Sequence, residues 1–473
     1  MARLQTETKR YDYTKGPIGR GLVVLSLPIF AELISWNIDT IVEIYWVGRL
    51  GSDALGAMSL AYMIPMMVRA VGMGIRVAGQ ALVAQRVGAN DDEGAALIAG
   101  QCILLQTLFF IPLCCAGYIF SPYLIGWMTS DPRLLYLSTI YLRAGFLMLL
   151  FVDGIFTLAN IFRGAGEPKY SLFGMIINSC VAFIAMPAFI FGFGLIPPLH
   201  LAGAYIGLGI GRLAGCVVML IILFKGNARI RLKWRHLIPR SSVMKRILGL
   251  GWPAWGQMFF ERGANLVLVW MLAPFGALAL AAWGLGSRVN NMGRMPGFSL
   301  QGAVRTMVGQ NIGARKPDRA IRSAWVTVGA VVSIMVAVST GLVVWSKEVV
   351  TFFGVKGVAL PHAVICLQIL CVGLGFEATR RVVAGIFEGS SSTRPPMVVE
   401  AIVRWVVQLP GAYMLAVWMG FRELGIWWAV AGSQLIGGLA LFLWFAFGWR
   451  RRIENMAPKA KSSALSMVKF PSS

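Results

Sequence analysis

Charged residues are scarce in this chain. Asp, Glu, Lys and Arg make up only 13% of the 473 residues, whereas 57% are hydrophobic; a soluble globular domain carries about a quarter charged residues. Only three histidines are present, scattered at positions 200, 236 and 362, and neither they nor the seven cysteines form a metal or redox spacing. The composition therefore excludes an ordinary soluble domain, argues against an enzyme, and predicts a membrane protein without a cofactor.

The sequence consists largely of long apolar runs. At roughly 20 residues per membrane-spanning helix, about a dozen helices fit into the chain. Their unbroken length favours helices over the short alternating strands of a barrel. We therefore predict an all-α polytopic membrane protein. The predicted spans are 21–47, 54–82, 95–120, 134–160, 170–193, 201–224, 247–272, 278–306, 322–345, 360–386, 396–419 and 423–448.

The net charge of +23 follows the predicted membrane topology. Basic residues cluster in alternate loops and in both termini, and the opposite loops hold few, which is the pattern of cytoplasmic loops and argues against nucleic-acid binding. Both termini are therefore expected in the cytoplasm, with an even number of spans in the cell membrane. The basic clusters lie at 9–20, 163–169, 225–246, 315–322 and 450–452.

The chain contains an internal repeat. Between positions 51 and 95, 14 of 45 residues recur after a shift of 225, including Arg69/Arg294 and Gln85/Gln310, so we infer a duplication. Six spans per half give both halves the same orientation, which makes the repeat parallel. The predicted domains are a cytoplasmic segment 1–20, an N-lobe 21–224, a basic linker 225–246, a C-lobe 247–449 and a disordered basic tail 450–473.

Carboxylates at membrane depth are the main functional candidates, because burying one in a bilayer costs about 2.5–3.5 kcal/mol on insertion scales. Glu32, Asp39 and Glu43 share one face of the first span, and Asp39 lies deepest. We expect Asp39 to bind a proton or Na⁺. The alternative is an ion pair or cap inside the helix bundle.

Two C-lobe spans carry further candidates. In the seventh span, Glu261 is flanked one turn away by Gln257 and Asn265, a polar stripe able to coordinate a hard cation. In the tenth span, Glu377 shares a face with Arg381 and Glu388, so Arg381 is able to neutralise either carboxylate.

Other buried charges have weaker claims to a function. Asp153 is expected to pair with an arginine such as Arg143, and Glu400 with Arg404. Most of the remaining arginines at span depth are expected near the cytoplasmic ends, with their side chains extended to the headgroups. These arginines are Arg69, Arg76, Arg212, Arg288, Arg294 and Arg305.

Four fragments resemble the MATE (multidrug and toxic compound extrusion) family of secondary transporters. Their order, spacing and repetition in both halves make the resemblance specific, and it covers about residues 18–450. The fragments are VGRLGSDALGAMSL at 47–60, ALVAQRVGAND at 81–91, FRGAGEPKYS at 162–171 and MVGQNIGARKPDRA at 307–320.

The resemblance implies two six-helix lobes around a central cavity and export of organic cations against H⁺ or Na⁺. It places Asp39 on the family's first-helix acid, and Glu261 and Glu377 on the C-lobe acids of its bacterial branch. Members with an N-lobe proton site carry an acid shortly after an Asn in the fifth helix. Here Asn178 is followed only by Ala182 and Met186 at the places where that acid would stand, which favours the C-lobe pair.

The resulting hypothesis is a monomeric antiporter that exports cationic or amphipathic drugs in exchange for H⁺ or Na⁺ by alternating access of the two lobes. The coupling ion is expected at Glu261, Glu377 and Asp39, with support from Glu32, Gln257, Asn265, Arg381 and Asn178, and with Na⁺ as the only metal that the pair would bind. Membrane lipid and small molecules are the expected partners. The alternative is a flippase for lipid-linked or polysaccharide precursors; a membrane-embedded enzyme or a channel is disfavoured.

Overall fold

The computed structural model describes residues 11–194, 197–357, 359–449 and 453. These residues form fourteen helices of seven residues or more. In chain order they are α1 Ile18–Gly48, α2 Ser52–Gly88, α3 Asp92–Gly126, α4 Pro132–Ala165, α5 Pro168–Phe191, α6 His200–Lys225, α7 Ser241–Leu272, α8 Ala277–Gly293, α9 Met295–Gly313, α10 Pro317–Val344, α11 Ser346–Phe352, α12 Ala359–Gly389, α13 Arg394–Trp418 and α14 Arg422–Trp449.

The helix boundaries repeat with the shift that the sequence shows. Moving α2 by 225 residues gives positions 277–313, which are the first residue of α8 and the last of α9. The counterpart of α2 is interrupted at Arg294, just before Pro296, whose ring cannot continue the hydrogen-bond ladder of α8. The predicted twelve spans in two lobes are confirmed, with the eighth span built from α8 and α9, and with α11 as a short addition.

Ten of these helices are long and apolar enough to cross a membrane by themselves. The helices outside this set that belong to a predicted span are α7, α8 and α9. Large apolar side chains on the outside of the lobes are exposed, among them Ile184, Phe447 and Trp270. Exposed side chains of this kind suit a lipid environment, so the chain is a multi-pass membrane protein.

Local sequence sets several helix boundaries. Pro occupies the first turn of α4, α5 and α10, where its missing N–H needs no partner. The Asp131 side chain caps α4 by accepting from the backbone N–H of Arg133 at 2.9 Å. Gly166 ends α4 with a φ of +80°, a left-handed conformation that glycine adopts without steric cost.

The two lobes meet through glycines on the side of the basic loops. A Cβ added to Gly88 would overlap the carbonyl oxygen of Gln310, and a Cβ added to Gly313 would overlap that of Gln85. These two contacts are related by the 225-residue repeat, so they mark the pseudo-two-fold axis. Small residues allow helix backbones to approach closely in membranes.

Hydrogen bonds also join the lobes about two helical turns away from these glycine contacts, on the same helices. Gln80 on α2 donates to the carbonyl oxygen of Gly302 at 2.9 Å and accepts from Arg305 Nη1 at 2.6 Å. Gln80 and Arg305 are themselves equivalent positions of the repeat. Thr306 donates to the carbonyl oxygen of Arg163 at 2.9 Å. The lobes are therefore closed against each other toward the basic loops.

The linker between the lobes is shorter than predicted and packs on the N-lobe. Helix α7 begins at Ser241, inside the predicted linker 225–246. Gln101 on α3 donates to the carbonyl oxygens of His236 and Ile238, each at 2.8 Å, and accepts from the backbone N–H of Arg240 at 2.8 Å. The predicted disordered tail, 450–473, lies outside the described residues except for position 453.

Candidate functional site

Glu261 and Glu377 are brought together by one arginine. Arg381 donates from Nη2 to Oε1 of Glu261 at 2.7 Å and from Nε to Oε1 of Glu377 at 3.0 Å. Glu261 is on α7 and the other two are on α12, so the pair lies inside the C-lobe, as predicted. Arg262, the neighbour of Glu261 in sequence, is not its partner, because adjacent residues of a helix point in different directions.

More arginines surround Glu377, which is fully buried. Arg380 donates to it at 2.8 Å, and the guanidinium nitrogens of Arg294 and Arg404 lie 3.5 and 3.8 Å from Oε1. Glu400 pairs with Arg380 and, as predicted, with Arg404 at 2.9 Å. The C-lobe carboxylates are thus neutralised by arginine. The pairs Glu377–Arg381 and Glu400–Arg404 lie within one span each, whereas the contact between Glu261 and Arg381 joins two spans.

A cavity of about 230 Å³ opens onto this cluster. It is bounded by α7, α8, α9, α12, α13 and α14, and the predicted residue Asn265 lines it together with Glu261 and Arg381. A much smaller cavity of about 20 Å³ lies at the seam between the lobes, where Gln257 faces Met73 and Val77 of α2. Gln257 and Asn265 therefore flank Glu261 as predicted, but they line different cavities.

Asp39 lies in the N-lobe, apart from the C-lobe pair. Its Oδ2 accepts from Asn178 Nδ2 at 2.9 Å and lies 3.1 Å from Arg212 Nη2. Asn178, a predicted supporting residue, thus contacts Asp39 directly, and its role in cation binding stays a prediction. Ala182 and Met186 follow on the same helix, both buried, so α5 supplies an amide to this site and no second acid there.

Glu43, one turn beyond Asp39, is the residue that sequence reasoning did not select. Its Oε1 accepts a hydrogen bond from the hydroxyl of Tyr141 at 2.6 Å, and it is 5% exposed. Among the buried carboxylates inside the membrane helices that the structure describes, it alone has no Arg or Lys nitrogen within 4.0 Å. The signal in the sequence was its place on the same face as Asp39.

The other N-lobe carboxylates are held by arginines. Glu32 pairs with Arg163, and its supporting role in cation binding stays a prediction. Asp153 pairs with Arg76, lies 3.6 Å from Arg69 and accepts from Gln106 at 2.8 Å.

Two expectations about charges were wrong. The expected partner of Asp153, Arg143, lies over the ring of Tyr118 instead. The expectation that most span arginines reach the headgroups was also wrong, because interior carboxylates hold most of them. Those with an interior carboxylate within 4.0 Å are Arg69, Arg76, Arg212, Arg294 and Arg305; Arg288 is exposed.

Comparison with known proteins identifies this arrangement of lobes. The MatE family model matches residues 28–191 and again 253–414, one match in each lobe. The chain belongs to the MatE family. The double match coincides with the helix repeat, and it places the two carboxylate clusters in equivalent lobes of a MatE transporter, which is not an enzyme.

Several curated bacterial relatives span nearly the whole MatE chain. The probable multidrug resistance protein YoeA of Bacillus subtilis is 23% identical over 93% of this chain and 96% of its own length. The probable multidrug resistance protein NorM of Pseudomonas aeruginosa is 26% identical over 95% and 92%. The multidrug export protein MepA of Staphylococcus aureus is 22% identical over 92% and 94%.

Solved structures share the MatE fold. A crystal structure of MATE in the bent conformation superposes with a TM-score of 0.88 at 19% identity, over 95% of this chain and 100% of that one. A MOP superfamily transporter from Pyrococcus furiosus, described as having a binding pocket of reverse polarity, superposes with a TM-score of 0.86 at 20% identity, over 94% and 98%.

Proposed function

We propose that this MatE transporter exports amphipathic and cationic drugs in exchange for H⁺ or Na⁺, by rocking one lobe against the other. The observation that carries the proposal is the seam, which is closed on one side by glycine contacts and by Gln80, Arg305 and Thr306. A seam between duplicated lobes is where transporters of this type alternate access. The names of the curated relatives supply the drug class.

The charge of the loops indicates on which side of the membrane the lobes are closed. The closed side carries the basic loops, which the positive-inside rule assigns to the cytoplasm together with both termini. We therefore take this state to be the outward-facing one, in an exporter of the plasma membrane or inner membrane that works as a monomer. In this state, substrate leaves to the outside and the coupling ion enters.

The coupling ion is proposed to bind buried carboxylates. Binding an ion removes the cost of enclosing an unpaired charge, but it drives transport only if the two states bind the ion differently. We assign the proton to Glu43, because no Arg or Lys nitrogen of the described residues lies within 4.0 Å of it and its neighbour Asp39 is a second acid within the same lobe.

The C-lobe pair remains the second coupling candidate. A cation that binds Glu261 must displace Arg381, whose Nη2 lies 2.7 Å from the carboxylate oxygen. At Glu377 it must compete with several guanidinium groups. The contacts in this state therefore favour the N-lobe acids, and they make a proton a better fit than Na⁺, since a proton needs no further oxygen ligands.

Ion release from the purified transporter tests the coupling. Ethidium is added to the protein in weakly buffered detergent solution, with and without Na⁺, and released protons are measured with a pH dye. We expect release that is independent of Na⁺, lost in Glu43→Gln and retained in Glu261→Gln. Loss only in Glu261→Gln would assign coupling to the C-lobe pair, and release by neither wild type nor variants would contradict antiport.

A further inference from the structure

The C-lobe interior carries more positive than negative charge. Arg262, Arg294, Arg380, Arg381 and Arg404 line or back the cavity of about 230 Å³. The carboxylates among them are Glu261, Glu377 and Glu400. Arg305 and Glu388 form a separate pair at the seam. Five arginines against three carboxylates leave an excess of two positive charges.

An excess of positive charge raises the free energy of the folded protein wherever water does not solvate it. A buried charge is tolerated when a partner of opposite sign compensates it. Arg380, Arg381 and Arg404 donate several hydrogen bonds to the three carboxylates, and the other two arginines donate fewer. Arg262 has no carboxylate oxygen within 4.0 Å in the described residues. Arg294 donates to Glu377 at 3.5 Å and also to the side-chain oxygen of Asn291.

These two arginines face the same cavity and have donors to spare. Nε of Arg294 is buried and has no hydrogen-bond partner. The guanidinium fork suits carboxylates and phosphates, which it binds through two parallel hydrogen bonds. Neutral polar side chains line the cavity beside the arginines, at Asn265, Asn290 and Ser287; Asn290 also donates to the carbonyl oxygen of Leu370 and Ser287 to that of Gly284.

The remaining wall of the cavity is apolar. Trp283, Phe298, Leu370 and Val430 complete the lining, and Phe298 lies under the guanidinium of Arg381, whose Cζ is 4.5 Å from the ring centroid. A cavity with cationic donors at one part and aromatic or aliphatic groups at another matches a molecule that joins an acidic group to an apolar body.

We propose that the C-lobe cavity binds the acidic group, carboxylate or phosphate, of an amphipathic substrate, with Arg262 and Arg294 as its cationic ligands. This inference rests on the proposed export function and adds to its substrate class compounds that carry a negative group, zwitterions included. Ion coupling and acid recognition then reside in different lobes: the N-lobe binds the proton and the C-lobe binds the acid.

Matched fluorescent probes test the proposal on the full-length protein in detergent. Dansylglycine carries a carboxylate, and dansylglycinamide is its neutral counterpart. We expect dansylglycine to bind more tightly than the amide. Arg262→Gln, which breaks no ion pair, should raise the dissociation constant of dansylglycine by about tenfold and leave that of the amide unchanged. Arg294→Gln should act in the same direction.

Arg288→Gln is the control, because Arg288 lies on α8 close to Arg294 in sequence but is exposed and outside the cavity lining. Equal binding of the two probes, or an equal effect of Arg288→Gln and Arg262→Gln, would overturn the proposal. The outcome is independent of ethidium-induced proton release, so the acid site and the coupling mechanism fail separately.

Competition identifies the source of the acidic group. Displacement of dansylglycine by inorganic phosphate assigns the site to soluble anions. Displacement by phosphatidylglycerol micelles, with phosphatidylcholine micelles as the neutral control, assigns it to a lipid phosphate and favours a flippase over a drug exporter. Either displacement supports an anion site in the C-lobe.

Discussion

Arg381 stands between Glu261 and Glu377 and donates a hydrogen bond to each, at 2.7 and 3.0 Å. The two carboxylates come from different helices, α7 and α12, so this one side chain ties the two helices together. For Glu261, Arg381 is the only basic side chain within 4.0 Å among the described residues. Glu377 keeps other arginines if Arg381 is removed.

We expect Arg381→Gln to destabilise the protein by roughly 3 kcal/mol, because removing one partner of a buried ion pair leaves the other charge uncompensated. The charge left without a partner is Glu261. The double variant Glu261→Gln/Arg381→Gln should recover most of this loss. Thermal unfolding in detergent, run as a double-mutant cycle, measures the coupling.

Glu423→Gln is a suitable control, since Glu423 lies at the beginning of α14, outside the cluster. Combined with Arg381→Gln, it should restore nothing. Additive effects of Glu261→Gln and Arg381→Gln would show that the two residues do not depend on each other.

The glycine contacts between the two lobes lead to a second prediction, on the rate of efflux. In Gly88→Ala or Gly313→Ala, the new methyl group would overlap a backbone carbonyl oxygen of the opposite lobe, and a backbone atom has little freedom to move away. The lobes should then fail to close toward the basic loops. We expect ethidium efflux to fall by about tenfold or more, equivalent to about 1.4 kcal/mol.

Gly329→Ala provides the comparison, because nothing lies within 4 Å of a Cβ at that position of α10. Its efflux should stay within about twofold of the unchanged protein, as for most exposed substitutions. Labelling of an engineered Thr306→Cys should become faster in Gly88→Ala and Gly313→Ala only. Normal efflux and unchanged labelling in both glycine variants would contradict a tightly closed seam.

The contacts between the linker and α3 lead to a third prediction, on the rate of proteolysis. Gln101→Ala removes three hydrogen bonds that hold the backbone of residues 236–240 on α3. Because exposed basic residues adjoin this segment, trypsin should cleave it about tenfold faster once the segment opens locally. Gel analysis of limited proteolysis checks this result.

Thr107→Ala, on the same helix, removes only a bond to the carbonyl oxygen of Ile103 and should leave the cleavage rate unchanged. Equal protection of the linker in Gln101→Ala and Thr107→Ala would mean that the apolar anchors Ala228, Ile230 and Leu232, all buried, hold the segment without Gln101.

Much of the fold could be predicted from the sequence, because membrane-spanning helices are recognised by their length and hydropathy. The internal repeat also shows which helices of the two halves are equivalent. The break at Arg294 was not predicted. Pro296 signals it, but Pro65 stands inside an uninterrupted α2, so a proline alone does not decide between a kink and a break. Surrounding packing decides.

The candidate site was predictable in part. Carboxylates at membrane depth identify themselves by their cost, which led to Asp39, Glu261 and Glu377. The sequence also indicated Arg381 as a partner of Glu377, four residues away on the same helix. It did not indicate the partners on other helices, because Arg212 is far from Asp39 along the chain and Arg381 is 120 residues from Glu261. Helix periodicity pairs residues three or four apart, whereas contacts between helices depend on rotation and register, which one sequence does not specify.

The bond between Gln80 and Arg305 has an evolutionary consequence. A side chain at a symmetry axis faces its own copy, so an assembly of two identical chains would put guanidinium against guanidinium or amide against amide at this point. Fusing both copies into one polypeptide lets the two sites mutate separately, and a donor then meets an unlike acceptor. The halves have thereby become complementary instead of interchangeable.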